Sequence, residues 1–77
     1  MMVDIYEIDR LGSRVRELRE SAGLTQYKLS KDSGVSQALL CRVESGASVP
    51  SLGALRSIGL CLGIGIAEFF PRRRRDD

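Results

Sequence analysis

Thr25-Gln26-Tyr27-Lys28-Leu29-Ser30-Lys31-Asp32-Ser33-Gly34-Val35-Ser36-Gln37-Ala38-Leu39-Leu40-Cys41-Arg42-Val43-Glu44-Ser45-Gly46 is the stretch that decides the architecture. It carries two helix starts and two helix stops. Thr25 and Ser36 are of the type that caps a helix N-terminus, where a side-chain oxygen accepts from a backbone N–H that has no intrahelical partner. Gly34 and Gly46 can take the left-handed conformation that ends a helix. The spacing predicts a helix over 26–33, a tight turn, and a second helix over 37–45. At about 100° per residue, Leu40 and Val43 of the second helix point one way, with Leu39 at the flank. Gln37, Ala38, Cys41, Arg42 and Ser45 share the opposite face.

Outward from this stretch the pattern stays helical. Upstream, Leu11, Val15, Leu18 and Ala22 form one apolar stripe, with Arg14, Arg16, Glu17 and Glu20 on the other faces and Gly23 as a stop. Downstream, Pro50-Ser51 opens a helix whose Leu52, Leu55, Ile58 and Leu62 share a face until Gly63. Ile66 to Phe70 make a last helical turn before Pro71. Alternation of strand length appears only over Val3 to Ile8. The expected fold is all-α, a compact bundle of five short helices over 10–70, with an N-terminal arm at 1–9 and a basic tail at 71–77.

A chain of 77 residues is one domain with a small core. The absence of histidine removes Ser-His and Cys-His nucleophile pairs and His-containing zinc sites. Cys41 and Cys61 fit neither a CxxC site nor a disulfide framework, so free thiols and a cytoplasmic location are expected, with no signal peptide in view. An enzyme is disfavoured, and no metal or cofactor is expected. Residues 58–67 are all apolar or glycine, but a spanning helix needs roughly 20 such residues. Arg56 and Glu68 flank the run, and no membrane partner is expected.

The formal charge of +2 is unevenly spread. Residues 1–9 are acidic, through Asp4, Glu7 and Asp9. Residues 10–42 carry seven basic side chains against three acidic ones, and Arg72 to Arg75 lie in the tail. That asymmetry suits an anionic partner.

The exposed face of the 37–45 helix is small and polar, with one amide and one long cation. Such side chains can read base edges: Gln against adenine, Arg against guanine, Ala against a thymine methyl. The competing reading is an ordinary solvated face. Position favours the first, because a short helix and tight turn followed by a second helix is the layout that places a recognition helix in the major groove.

Leu11 to Arg19 and Gly23-Leu24-Thr25-Gln26 resemble the opening of Cro/C1-type (Xre) helix-turn-helix domains. Ser33-Gly34-Val35-Ser36-Gln37 and Arg42-Val43-Glu44-Ser45-Gly46 are similar to the family's turn and recognition helix. Pro50-Ser51-Leu52, Leu55, Leu62-Gly63 and Ala67-Glu68-Phe69-Phe70 resemble its closing helices. The likeness covers about residues 10–70. It implies a lambda-repressor-like fold and sequence-specific binding of double-stranded DNA, as in phage repressors, restriction-modification controllers and antitoxins.

The resemblance also assigns roles. Gln26 would bond a phosphate at a helix N-terminus. Gln37 and Ala38 would face bases, with Arg42 one turn on and Cys41 on the same face, while Ser36 and Ser45 would reach phosphates. Arg19 and Glu44 would form a structural ion pair. Lys28 stands where the family usually has a glutamate, and reads equally as a phosphate contact or a solvated lysine. Ala47, Ser48 and Val49 replace basic residues, which weakens that phosphate clamp. Cys41 reads as a small serine-like residue in preference to a redox switch. Gly53 and Gly59 each lower helix stability by up to about 1 kcal/mol relative to alanine.

A homodimer is expected because Leu60 points away from Leu55 and Leu62. With Ile64, Phe69 and Phe70 it would form an apolar two-fold patch, over which Val3 to Ile8 could alternatively fold. The expected activity is that of a homodimeric repressor of a pseudo-palindromic operator, controlled by its concentration, a partner protein or proteolysis. The alternatives are an antitoxin that masks a toxin and a restriction-modification controller.

Overall fold

The computed structural model describes residues 10–70. Four α-helices follow in order: α1 (Leu11–Ser21), α2 (Gln26–Ser33), α3 (Gln37–Glu44) and α4 (Leu52–Leu62). The fifth expected helix is a single 3-10 turn over Ile66–Phe69, so among the described residues the bundle has four α-helices. The alternating Val3 to Ile8 segment and the arginine tail lie outside these residues.

The caps follow the local sequence. Thr25 Oγ1 accepts from the Lys28 N–H at 3.0 Å, Ser36 Oγ from Leu39 N–H at 3.0 Å, and Ser51 Oγ from Ala54 N–H at 3.0 Å. Each bond satisfies one of the N–H groups that a helix start leaves unpaired. Gly34 ends α2 at φ +80°, where a side chain would be strained.

One core joins all the elements. Val15, Leu29, Leu40 and Ile58 are completely buried, and Leu11, Val43, Leu55 and Phe69 nearly so. α1 packs on α3, while α2 packs on both α3 and α4. The 3-10 turn folds back over α1 and α4, and Arg14 Nε donates to the Glu68 carbonyl at 3.0 Å to hold it there.

Three sequence expectations change. Ala22 is exposed, because α1 ends at Ser21 and Ala22 turns away with the loop. Leu52 is 69% exposed at the first position of α4, although it shares the helix period of buried Leu55 and Ile58. Phe69 is only 1% exposed, so it belongs to the interior of the subunit and not to an outer patch. The reason is long-range. A glycine at 59 lets the 3-10 turn approach until an added Cβ would stand 3.5 Å from the Phe69 ring.

Two glycines mark close backbone approaches. A Cβ on Gly12 would meet the carbonyl oxygen of Val43, seating α3 directly on α1. A Cβ on Gly59 would lie 2.9 Å from the Ile64 carbonyl oxygen, while Ile64 N–H donates to Gly59 O at 2.9 Å. Gly59, expected as a weak point of its helix, is therefore a packing requirement.

Candidate nucleic-acid interface

The site is built on α3. Leu40 and Val43 fix one side of this helix in the core, at 0% and 1% exposure. Three and four residues along a helix return to the same face, so Gln37, Ala38, Cys41 and Arg42 are left on the outer side. All four are exposed, as is Ser45 at the C-terminal end. The expected base-reading set thus forms one contiguous outer face.

A buried ionic cluster holds that helix in place. Glu44 accepts from Arg19 Nε at 2.7 Å and from Arg19 Nη2 at 2.9 Å, a fork-on-fork pair. Arg19 Nη1 donates to the Leu24 carbonyl at 2.7 Å, and Gln26 Nε2 donates to Glu44 at 3.0 Å. The Glu44 carboxylate therefore ties α1 and α2 to the end of α3, and Arg19 adds the loop before α2. The Arg19 and Glu44 side chains are 10% and 4% exposed. Burial pushes the Glu44 carboxyl up, but the hydrogen bonds from Arg19 and Gln26 and the Arg19 charge together hold it below the usual range. The hydrogen bond to Glu44 raises the Arg19 guanidinium against the opposing effect of its burial.

The other expected contact residues are arranged as follows. Gln26 is half-buried, and its amide nitrogen has two hydrogens; Glu44 takes one, leaving the second for an outside acceptor. Lys28 is exposed beside Asp32, its ammonium 3.4 Å from the carboxylate. Ser36 spends an acceptor position on its cap, which leaves its hydroxyl hydrogen to donate. Ser45 donates its hydroxyl to the Arg42 carbonyl at 3.1 Å, so that proton is engaged within the chain. Tyr27 is 59% exposed, with Lys31 Nζ 5.6 Å from its ring centroid.

Sequence reasoning missed Ser48, whose hydroxyl accepts from Arg42 Nε at 3.3 Å. The turn signal at Gly46 was the available clue, because a left-handed residue there curls the chain back over the last turn of α3. Among the described residues no cluster of three His, Cys, Asp or Glu side chains could hold a metal ion, and no helix is long and apolar enough to cross a membrane. Both cysteines are free; Cys41 is exposed and Cys61 half-buried.

A polar helix held outward by a glycine turn and an ionic clasp is the build of a DNA-binding helix-turn-helix module. A family model described as a helix-turn-helix domain matches residues 10–68, and the chain belongs to that family. It is similar to the HTH-type transcriptional regulator PuuR of Escherichia coli (strain K12), 26% identical over 66 residues, which make up 86% of this chain and 36% of that protein. An uncharacterized HTH-type transcriptional regulator, y4dL of Sinorhizobium fredii (strain NBRC 101917 / NGR234), is 30% identical over 61 residues, covering 79% of this chain and 31% of that protein. The chain spans about a third of the length of these curated relatives. Among solved structures it is similar to the restriction-modification controller protein C.AhdI from Aeromonas hydrophila. That match has a TM-score of 0.78 and 33% identity, covering 83% of this chain and 97% of that one.

Proposed function

We propose that the chain binds DNA sequence-specifically as a homodimeric transcription regulator, represses by occupying a pseudo-palindromic operator, and catalyses no reaction. The observation that carries this reading is the outer face of α3. Gln37, Ala38, Cys41 and Arg42 stand exposed there together, on a helix whose opposite side is locked into the core. Gln37 and Arg42 offer the paired donors and acceptors that distinguish adenine and guanine in the major groove. Gln26, Lys28, Ser36 and the start of α2 supply phosphate contacts that set the register. Ser45 would join them by turning its hydroxyl from the Arg42 carbonyl to a phosphate.

Dimerisation rests on the apolar surface of α4. Leu60 is 71% exposed, and Ile64 and Phe70, which follow α4, are half-buried. A two-fold axis through this patch would set two recognition helices about 34 Å apart, one turn of DNA. The operon context of a restriction-modification controller is a second reading, favoured by the match to C.AhdI over 97% of its chain.

The test is fluorescence anisotropy with duplex DNA from the region upstream of the gene, over a salt series and against random duplex. Preference for the upstream duplex by about a thousandfold, lost in a Gln37→Ala/Arg42→Ala variant, is the expected result. Equal weak affinity for both duplexes with one steep salt slope would reduce the interaction to phosphate attraction and overturn the reading.

A further inference from the structure

We propose that Ser48 is a positioning residue for base readout: it holds the Arg42 guanidinium so that the Nη1–Nη2 edge is presented to a guanine in the major groove. The proposal rests on the reading of α3 as the recognition helix.

Ser48 meets residue 42 at two points. Its hydroxyl oxygen accepts from Arg42 Nε at 3.3 Å, and its backbone N–H donates to the Arg42 carbonyl at 3.2 Å. The loop that brings it there is fixed by its own hydrogen bonds. Gly46 N–H donates to Val43 O at 3.1 Å and Ala47 N–H to Arg42 O at 2.8 Å, with Gly46 at φ +86°. These two bonds close the last turn of α3 in the manner of a Schellman motif. The half-buried Ser48 is thereby a fixed point against which a long side chain can rest.

The chemistry of the tether matters as much as its position. On α1, Arg14, Arg16 and Arg19 each contact a carboxylate, from Glu17, Glu20 and Glu44 respectively. Arg42 is bound by a neutral hydroxyl instead, so it is oriented without being neutralised. Its hydrogen bond within the described residues is made through Nε, and the terminal nitrogens enter no ion pair or hydrogen bond there. An arginine whose Nε is committed still has two parallel N–H bonds at its end. These match the O6 and N7 acceptors on the major-groove edge of guanine. Fixing the side chain beforehand removes part of the rotamer freedom otherwise lost on binding.

The experiment selects duplexes from a random library with the wild-type chain, then measures its affinity for the winning sequence and for single-base-pair variants of it. Arg42→Ala identifies the base pair that Arg42 reads. At that pair alone, Ser48→Ala is expected to lower the preference for guanine roughly three- to tenfold, the range of one hydrogen bond's net contribution. Ser48→Thr, which keeps the hydroxyl, is expected to retain the preference. Thermal melting of both variants should match the wild type, which separates positioning from folding.

Unchanged guanine preference in Ser48→Ala would overturn the proposal. So would weakening spread evenly over all duplexes with a reduced salt slope, the signature of a phosphate contact. An Arg42→Ala variant with an unaltered selected sequence would also overturn it, while leaving DNA binding through other residues intact. A wild-type chain that selects no sequence would overturn the recognition-helix reading, and this proposal with it.

Discussion

Adding one methyl group at Gly12 should unfasten the helix that carries the interface. A Cβ built at this position falls inside the contact distance of the Val43 carbonyl oxygen and 3.2 Å from that of Glu44. Both obstacles are backbone, so no side chain can rotate out of the way. α1 and α3 would have to separate, pulling Val15, Leu40 and Val43 out of register. Overpacking of this kind costs about 1–3 kcal/mol. The higher helix propensity of alanine returns up to about 1 kcal/mol. With both obstacles fixed backbone, the upper part of that range, about 2–3 kcal/mol, applies, and the resulting net loss of about 1–2 kcal/mol is a large fraction of the roughly 3–5 kcal/mol that a core of this size supplies. Gly53→Ala makes the same chemical change where the nearest atom is Ser51 Oγ at 3.8 Å, and should stabilise by about 0.5–1 kcal/mol. Urea denaturation of the two variants checks the pair, with midpoints moving in opposite directions. A Gly12→Ala chain as stable as the wild type would refute the α1–α3 packing described above.

Gly59→Ala should likewise lower stability, by about 1–3 kcal/mol less the helix-propensity gain and seen as a lower urea midpoint, because its Cβ would lie 2.9 Å from the Ile64 carbonyl oxygen. Stability should also depend on pH through Glu44. Its folded pKa is depressed, so its contribution is complete above the ordinary glutamate value of about 4.3 and is lost as the pH falls through the folded value. Thermal melts of the wild type should show that acid limb, whereas Glu44→Gln, which leaves Arg19 buried without its counter-charge, should cost about 3–5 kcal/mol and abolish the cooperative melt at neutral pH. Leu60→Asp should leave the fold intact and shift sedimentation at micromolar concentration from dimer to monomer. Identical sedimentation of variant and wild type would count against the α4 patch.

Local signals were legible where their physics is local. Thr25 and Ser36 cap the helices they were expected to cap, Ser51 caps the one it opens, and the alternation of Leu40 and Val43 with Gln37, Cys41 and Arg42 fixed which side of α3 faces out. What escaped the sequence depends on contacts between distant segments. The turn over Ile66–Phe69 looks like a surface end when read alone, and only its return onto Gly59 buries Phe69. Gly59 reads as a weakness of its helix, and Gly12 carries no signal at all, until the opposing carbonyl is known. Leu52 satisfied the apolar period of α4, yet the period does not say where the packed partner stops. Gln26 was placed by resemblance and Ser48 read only as a departure from it, and their hydrogen bonds to Glu44 and Arg42 required coordinates.

The most direct measurement of the central claim is an NMR titration of the uniformly labelled chain with its selected duplex, mapping amide shifts residue by residue. The account predicts that the largest changes gather on residues 36–42 and at the start of α2, near Gln26 and Lys28. Shifts centred on Leu52 and Leu60 of α4, with α3 undisturbed, would contradict it.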